Sequence, residues 1–391
     1  MDRPDALTPH PAVPTPRIAV VYSNEQPLDD PAEDLGVGCA LALQDAGALA
    51  LLSLPAESAE TPSTHRLRAR LGAALLLRIR RPRNLAWRSR YRRHRENIFH
   101  EDLRAARPDL VLIAQGDAFD GHHCADWCLQ AGIPFALLCG PTGEFLWQAD
   151  DRLDRPRRVF LGARRTWMPC EATRAEATLQ AGIDLPRCDL LPVVAAVPPP
   201  APLAWPDLPL RIAFVGASAV PGDGLDLALQ VLARPEWRER AIPFTVFTRS
   251  GMLRWAHDAV AWLDLPNVRL RTDWTGSAEP WREHHLGLFP RRRSGIDPAL
   301  VAALQTGRPA VGTPAGGTSA LLRDGENGFI ARTWTPDHVA DALERAWSAR
   351  AAWRTMGERA AGLPVIARAD AAAALCRELF QLVGGDAEGS R

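Results

Sequence analysis

The second half of the chain contains residues of the types that bind phosphate. The arginine run from Arg291 to Arg293 follows the short apolar segment 286–290, and a guanidinium matches phosphate oxygens in both shape and charge. Further along, Gly316 and Gly317 precede a predicted helix. Glycines at a helix start let a ligand approach backbone N–H groups closely, and those groups favour anions. Together these features predict a site for a phosphate-bearing ligand.

Local signals define the elements around these residues. The apolar segment before the arginines has the length and composition of a buried strand. Asp297 is a predicted N-cap, and Pro298 stands at the first helical position, where its missing N–H is not needed. Gly307 is expected to end this helix, and residues 308–312 to form the next strand. Two strand-to-helix turns would therefore lie side by side.

Composition limits the classes of function. The chain has 391 residues, 47% of them hydrophobic and 24% charged, which suits two globular domains. All 46 basic residues are arginine, so no lysine can carry a Schiff base, anchor pyridoxal phosphate or serve a P-loop. The seven cysteines lack a regular spacing, which argues against a disulfide framework.

Strand-like and helix-like segments alternate along the chain, which predicts parallel sheets covered by helices. We therefore predict an α/β fold with two doubly wound Rossmann-like domains that face each other across a cleft, and ligands at the carboxyl ends of the strands. The expected divisions are a flexible segment (1–16), a first domain (17–197), a proline-rich linker (198–207), a second domain (208–364) and a C-terminal helix that crosses back to the first domain (365–391).

Several segments resemble retaining glycosyltransferases of the GT-B fold, in the group often called family 4. Residues 168–192 (MPCEATRAEATLQAGIDLPRCDLLP) resemble the last strand and helix of that family's first domain, and 307–331 (GRPAVGTPAGGTSALLRDGENGFIA) its glycine-pair segment. Residues 115–121 (QGDAFDG) and 342–360 (ALERAWSARAAWRTMGERA) are similar to signatures of a bacterial branch.

The resemblance implies a hexosyltransferase-type enzyme that moves a sugar from a nucleotide-activated donor to a glycan or lipid-linked acceptor with retention. The first domain would take the acceptor and the second the donor. The expected setting is bacterial surface polysaccharide or glycoconjugate synthesis, with no cofactor besides the donor substrate and no metal.

The chain departs from the family at four donor-binding positions. Two glutamates that hold the donor sugar and the ribose fall on Ser294 and Ala302. An arginine and a lysine that hold the diphosphate fall on Ala217 and near Asp223. Alanine cannot bind a ribose hydroxyl, and an aspartate repels a diphosphate. The alternative is therefore a catalytically degenerate, glycosyltransferase-like protein that acts as a non-catalytic binding partner.

Donor-binding candidates follow the predicted strands of the second domain, and the arginines among them are expected to replace the lost cations. They are Gly216, Arg249, Arg292, Arg293, Ser294, Gly295, Ile296, Gly316, Gly317 and Thr318. Asp297 and Asp117 are the catalytic candidates, because a carboxylate after a parallel strand can orient a substrate hydroxyl. A helix cap and a turn are the alternatives for these two carboxylates.

His123 and Glu144 are the acceptor-binding candidates, since both follow strands of the first domain. His123 also belongs to a cluster with His122, Cys124 and Cys128. The two cysteines are one helical turn apart and could hold zinc. The alternative is that they are small buried hydrophobic residues, and no metal is expected.

The stretch from Arg66 to Arg95 contains twelve arginines and no acidic residue. It predicts a basic, amphipathic surface for an anionic membrane or a lipid-diphosphate acceptor. The alternatives are a solvated helix face with a loop, and RNA binding, which no RNA-recognition motif supports. The sequence has no hydrophobic signal region and no run of about 18 apolar residues. We expect a cytoplasmic protein, with peripheral contact at the inner membrane face as an extension, and no nucleic acid partner.

Overall fold

The computed structural model describes residues 15–23, 34–55, 67, 69–71, 76–80, 101–143, 147–196, 202–216, 221–248, 253–274 and 277–384. These residues form two parallel sheets and one short antiparallel pair of strands.

The first sheet has the strand order β3-β2-β1-β4-β5-β7-β8, and neighbouring strands are parallel throughout. Its strands are β1 (Ile18–Tyr22), β2 (Leu49–Pro55), β3 (Leu76–Arg80), β4 (Leu110–Ala114), β5 (Phe135–Leu138), β7 (Thr166–Met168) and β8 (Cys188–Leu190). The helices in this half include α1 (Leu35–Asp45), α2 (His122–Ala131), α3 (Asp154–Gly162) and α4 (Glu171–Ala181), and residues 101–106 are also helical.

The second sheet has the order β11-β10-β9-β12-β14-β15, again with parallel neighbours. Its strands are β9 (Ile212–Val215), β10 (Phe244–Phe247), β11 (Val268–Arg271), β12 (Leu286–Phe289), β14 (Ala310–Gly312) and β15 (Gly328–Ile330). The helices are α5 (Leu225–Leu232), α6 (Pro235–Arg240), α7 (Leu253–Trp262), α8 (Pro298–Gln305), α9 (Gly317–Leu321), α10 (Pro336–Ser348), α11 (Trp353–Ala360) and α12 (Arg368–Gly384). The two remaining strands, β6 (Thr142–Gly143) and β13 (Arg293–Ser294), pair with each other.

Each sheet is covered on both faces by apolar residues. Val20 and Val21 of β1 belong to different cores, because successive side chains of a strand point to opposite faces. The last helix, α12, contributes Leu375 and Leu379 to the first-sheet core that contains Val20. Among the described residues, no helix combines the length and apolar character needed to cross a bilayer.

The predicted class of two doubly wound parallel α/β sheets is confirmed. Within the basic stretch, however, Leu76–Arg80 form the edge strand β3 and pair with β2, so this part is not a helix face. Apart from residues 67 and 69–71, the rest of the stretch from Arg66 to Arg95 lies outside the described residues. Strand β8 was also not predicted from the sequence, because a three-residue strand at a sheet edge has too little apolar periodicity to be recognised.

The strand orders define where ligand crevices lie. From β1 the chain builds the first sheet outward to β2 and β3, and then returns to add β4 on the other side. The same reversal separates β9 from β12 in the second sheet. Ligands of doubly wound sheets bind outside the carboxyl ends of the strands at such reversals.

We predict that α12 stabilises the first sheet. Replacing the fully buried Leu379 by alanine should lower the free energy of unfolding by about 2–5 kcal/mol, because the change leaves a cavity. Urea denaturation followed by circular dichroism measures the loss. Leu179, which is 67% exposed, provides the control: its alanine variant should stay within about 0.5 kcal/mol of the wild type. Equal effects at the two positions would contradict the packing described for α12.

Candidate functional site

The carboxyl ends of β9, β12 and β14 meet at the side chain of Arg291. Its Nη2 donates to the carbonyl of Val215, the last residue of β9, at 2.5 Å, and its Nη1 donates to the Asp223 carbonyl at 2.9 Å. Thr313, which follows β14, donates its hydroxyl to the carbonyl of Arg291. A single residue from the loop after β12 therefore connects the loops of three neighbouring strands, in the crevice between β9 and β12.

Arg291 is buried among two aromatic rings and two carboxylates. Its guanidinium carbon lies 5.3 Å from the centre of the Phe214 ring and 5.5 Å from that of Phe289. Its Nε donates to Asp297 Oδ2 at 2.7 Å, and its Nη1 lies 3.8 Å from Asp223 Oδ1. Burial alone would lower the pKa of Arg291, but the two carboxylates outweigh burial and raise this pKa above its ordinary value.

Asp297 confirms the predicted start of α8. Its Oδ1 accepts the N–H of Ala299 at 2.9 Å, and Pro298 is the first helical residue. Gly307 lies one residue beyond the C-cap with φ +80°, so it follows the cap instead of forming it. Because Oδ2 binds Arg291, both carboxylate oxygens of Asp297 have partners within the protein.

Glycines bring the loops after β12 and β14 into direct backbone contact. A Cβ at Gly317 would lie 1.9 Å from the carbonyl oxygen of Gly295, and a Cβ at Gly295 would lie 2.8 Å from Pro141 Cβ. Gly316 has φ +27°. The predicted glycine pair therefore begins a helix, as expected, and it also allows the backbone of Gly317 to pack beside Ile296.

Gly216 and Thr318 use their backbone N–H groups within the protein. The N–H of Gly216 donates to the carbonyl of Phe247 at 3.0 Å, and a Cβ there would meet the Phe214 ring at 2.5 Å. Thr318 is buried, and its N–H donates to the carbonyl of Ala315 at 2.9 Å. These two positions shape the strand ends through packing.

Asp226 holds the side chain of Arg292 in a bidentate pair. The Nη1 and Nη2 atoms donate to Asp226 Oδ1 and Oδ2 at 2.8 and 2.7 Å. The backbone N–H of Arg292 donates to the carbonyl of Gly222 at 2.9 Å. Since Asp226 lies in the first turn of α5, this pair ties the arginine run to the helix after β9.

Arg293 and Asp117 form an ion pair between segments that follow strands of different sheets. Nη2 of Arg293 contacts Oδ1 of Asp117. Strand β13 continues the connection, because its antiparallel pairing with β6 places Arg293 opposite Gly143 and Ser294 opposite Thr142. Strand β6 follows β5 of the first sheet, so the carboxyl ends of the two sheets are joined at this point.

Helix α4 holds β6 in position. Thr142 Oγ1 donates to Glu176 Oε2 at 2.6 Å, and Gln180 Nε2 donates to the carbonyl of Gly143 at 3.0 Å. Gln180 Nε2 also lies 3.3 Å from Glu176 Oε1. Residues four apart share a helix face, and both side chains therefore reach the same short strand.

The predicted acceptor residue His123 is half-buried in the first turn of α2. Its neighbour His122 is buried against the rings of Phe119 and Phe160. Burial, with a smaller contribution from Arg155, lowers the pKa of His122 to about 3, so this imidazole is neutral near pH 7.

The zinc alternative is not supported. Cys124 and Cys128 lie in the apolar core beside α2, and the described part of the chain holds no group of three or more His, Cys, Asp or Glu residues suited to a metal ion. The candidates Glu144 and Arg249, together with Ala217, lie outside the described residues.

The arginine run differs from the free cationic surface that the sequence suggested. Arg291 faces Asp223 and Asp297, Arg292 faces Asp226, and Arg293 faces Asp117. Sequence reasoning did not identify Asp226, the β6–β13 pair or the α4 side chains that hold it. A two-residue strand pair between distant segments has no periodic pattern. The signal beside it is Gly295, where a Cβ would lie 2.8 Å from Pro141 Cβ.

Comparison with known proteins adds independent findings. Residues 209–349 match the family model described as "Glycosyl transferases group 1". The matched segment extends from just before β9 to the end of α10 and includes every loop that meets at Arg291. No curated protein matches the sequence.

Solved structures share the fold over nearly the whole chain. S. aureus TarM, in complex with fondaparinux, α-GlcNAc-glycerol and UDP, is 9% identical, covers 94% of this chain and 99% of its own, and has a TM-score of 0.68. Sucrose-phosphate synthase from Thermosynechococcus elongatus is 14% identical, with coverages of 96% and 100% and a TM-score of 0.65. Anabaena HepE in complex with UDP and glucose is 13% identical, with coverages of 96% and 99% and a TM-score of 0.58.

The predicted GT-B fold is confirmed by these structures. The family-model match adds that residues 209–349 are similar to group 1 glycosyl transferases.

We predict that Gly317 tolerates no side chain. Replacing it by alanine should lower the free energy of unfolding by about 1–3 kcal/mol, because the added Cβ collides with the Gly295 carbonyl. Gly384 is a matched control, since a Cβ there meets nothing within 4 Å. Urea denaturation compares the two variants. A Gly317→Ala protein as stable as the wild type would contradict the close backbone contact.

We predict that the Asp117–Arg293 pair couples the two halves of the protein. A double-mutant cycle with Asp117→Asn and Arg293→Gln should give a coupling of about 1 kcal/mol in unfolding free energy. A larger value is not expected, because the two side chains are 28% and 26% exposed. Additive single effects would show that the contact contributes no stability.

Proposed function

We propose that the protein is a retaining glycosyltransferase of the family 4 type, which moves a sugar from a nucleotide-activated donor to a glycan or lipid-linked acceptor. The observation that carries the proposal is that the segment matching group 1 glycosyl transferases contains all the loops that converge at the carboxyl edge of the second sheet. The UDP in the TarM and HepE structures supports a nucleotide-sugar donor.

The donor phosphates are proposed to lie at this carboxyl edge, against the backbone of Gly295, Ile296 and Gly317. Arg293 is the proposed cation for the phosphates, because its side chain lies where the loop after β4, which contains Asp117, meets the loop after β12. Arg292 is less suited to that role while Asp226 holds both of its Nη atoms. The donor roles of Gly216, Arg249, Ser294, Gly316 and Thr318 stay predictions.

The proposed reaction needs few protein groups. When a donor phosphate takes the place of Asp117 on Arg293, the released carboxylate can orient an acceptor hydroxyl. The acceptor oxygen would bond to the anomeric carbon on the face of the sugar from which the phosphate leaves. A phosphate oxygen of the leaving nucleotide would receive the hydroxyl proton. Rate enhancement would come from positioning and from stabilising charge on the leaving group. The catalytic role of Asp297 stays a prediction, since Ala299 and Arg291 hold its oxygens.

The acceptor is proposed to bind the first domain near His123 and Glu144. Fondaparinux and α-GlcNAc-glycerol in the TarM structure support a glycan as the acceptor class. The hexosyl type, the setting in bacterial surface polysaccharide synthesis and a cytoplasmic location are further parts of the proposal. Contact of the stretch from Arg66 to Arg95 with the inner membrane face also belongs to it.

A second candidate function is non-catalytic binding. Two observations favour it: each arginine of the run already faces a carboxylate, and Ala302 is fully buried in the core beside α8. The methyl group of Ala302 cannot bind a ribose hydroxyl. A protein of this kind would keep the fold and bind a partner without transferring sugar.

A thermal-shift and calorimetric screen against UDP-, GDP-, dTDP- and CMP-sugars tests the proposal. Binding to the folded state raises the melting temperature, by an amount that corresponds to about 2.7 kcal/mol at one hundred times Kd. Arg293→Ala should raise the Kd of whichever nucleotide binds by about tenfold, because a charge-assisted contact is lost. Arg323→Ala is the control, since Arg323 is exposed and outside the proposed site. Absence of binding to every nucleotide would favour the non-catalytic candidate.

A further inference from the structure

We infer that Arg291 is a positioning residue of the donor site: its buried guanidinium pairs with Asp223 and Asp297 and holds residues 221–224, which follow β9, in the conformation that a phosphate-bearing donor requires. The inference rests on the proposed function, which places the donor at this edge.

Three hydrogen bonds hold the Arg291 side chain in place. The Arg291 fork donates to the Val215 carbonyl, the Asp223 carbonyl and Asp297 Oδ2, so three donor nitrogens reach three different segments. The rings of Phe214 and Phe289 lie beside the guanidinium. These contacts direct the head group into the protein, so Arg291 acts through its neighbours and does not bind the ligand itself.

Gly222 and Gly224, which follow β9, contact the residues on either side of Arg291. Gly224 has φ +77°, and a Cβ there would lie 1.9 Å from the carbonyl oxygen of Pro290. The carbonyl of Gly222 accepts the N–H of Arg292 at 2.9 Å. Residues 222–224 therefore pack tightly onto the residues that flank Arg291, and their conformation depends on the position of that side chain.

The charges around Arg291 do not balance. Two carboxylates face one guanidinium at the crevice where a diphosphate would bind, so the trio keeps a net negative charge even with Arg291 present. Without Arg291, both carboxylates would lose their cationic partner at a partly buried position, and their repulsion of the phosphates would increase. Asp223 can therefore be tolerated near a diphosphate because Arg291 offsets part of the negative charge there.

The experiment uses the full chain and four variants: Arg291→Gln, Arg291→Lys, Asp223→Asn and the double variant Arg291→Gln with Asp223→Asn. Arg308→Gln is a matched control. Arg308 is also buried, but its guanidinium donates to backbone carbonyls at the opposite edge of the sheet, including those of His284 and Thr306. The control therefore removes a buried arginine without exposing a carboxylate at the crevice.

The first readout needs no ligand. Hydrogen–deuterium exchange is measured on peptides that cover residues 213–228 and 288–301. Arg291→Gln should speed exchange there by about tenfold, because the anchored loops open locally. Arg291→Lys should give a similar increase, since a lysine has no fork. Arg308→Gln should leave these peptides unchanged. Wild-type exchange in Arg291→Gln would overturn the positioning role.

The second readout is the calorimetric Kd of UDP. Arg291→Gln should weaken binding by about tenfold or more, and Arg291→Lys by less, because lysine keeps the charge. Asp223→Asn should strengthen binding by a few fold, and the double variant should recover part of the affinity lost in Arg291→Gln. A purely structural role predicts no recovery, and that result would overturn the electrostatic part of the inference.

The two readouts separate this inference from the proposed function. If UDP fails to bind the wild type, the proposed donor class is contradicted for UDP, while exchange still decides the positioning role. If UDP binds the wild type and Arg291→Gln equally, the proposed function stands and the inference fails.

Discussion

A charge buried in a protein must be paired and hydrogen-bonded, and this requirement organises the carboxyl edge of the second sheet. The guanidinium of Arg291 satisfies this requirement by donating to one carbonyl at the end of β9, one carbonyl between β9 and α5, and a carboxylate at the start of α8. The loop after β14 adds the Thr313 hydroxyl to the same residue. The guanidinium can reach its three acceptors only if their segments converge, so the arrangement of these segments depends on one side chain.

The second constraint is the connection between the sheets. Strand β13 leaves the Arg291 region and pairs with β6, which α4 holds through Glu176 and Gln180. The Arg293–Asp117 pair lies in the same region. Groups at the carboxyl edge of each sheet therefore contact groups from the other half of the chain. In the proposed reaction, each half would hold one of the two substrates.

Local signals predicted much of the fold and part of the site. The Asp297-Pro298 pair marked the start of α8, and the glycine pair marked the start of α9, because caps and glycines act over a few residues. The long apolar runs gave the central strands of both sheets. The pairing of Arg292 with Asp226 joins residues 66 positions apart, and no local pattern indicates it. Strand β3 was hidden by its arginines, since a basic stretch suggests a solvated surface and not a sheet edge.

Our central proposal is that a nucleotide-sugar binds at the carboxyl edge of the second sheet. Photo-crosslinking with 5-azido-UDP-glucose, followed by peptide mapping, tests this proposal most directly. We expect label on peptides that contain residues 213–224, 288–297 or 311–318, and loss of that label when unmodified UDP is added in excess. Label at the amino edge of the sheet, around residues 202–211 or 305–309, or label that UDP does not displace, would contradict it.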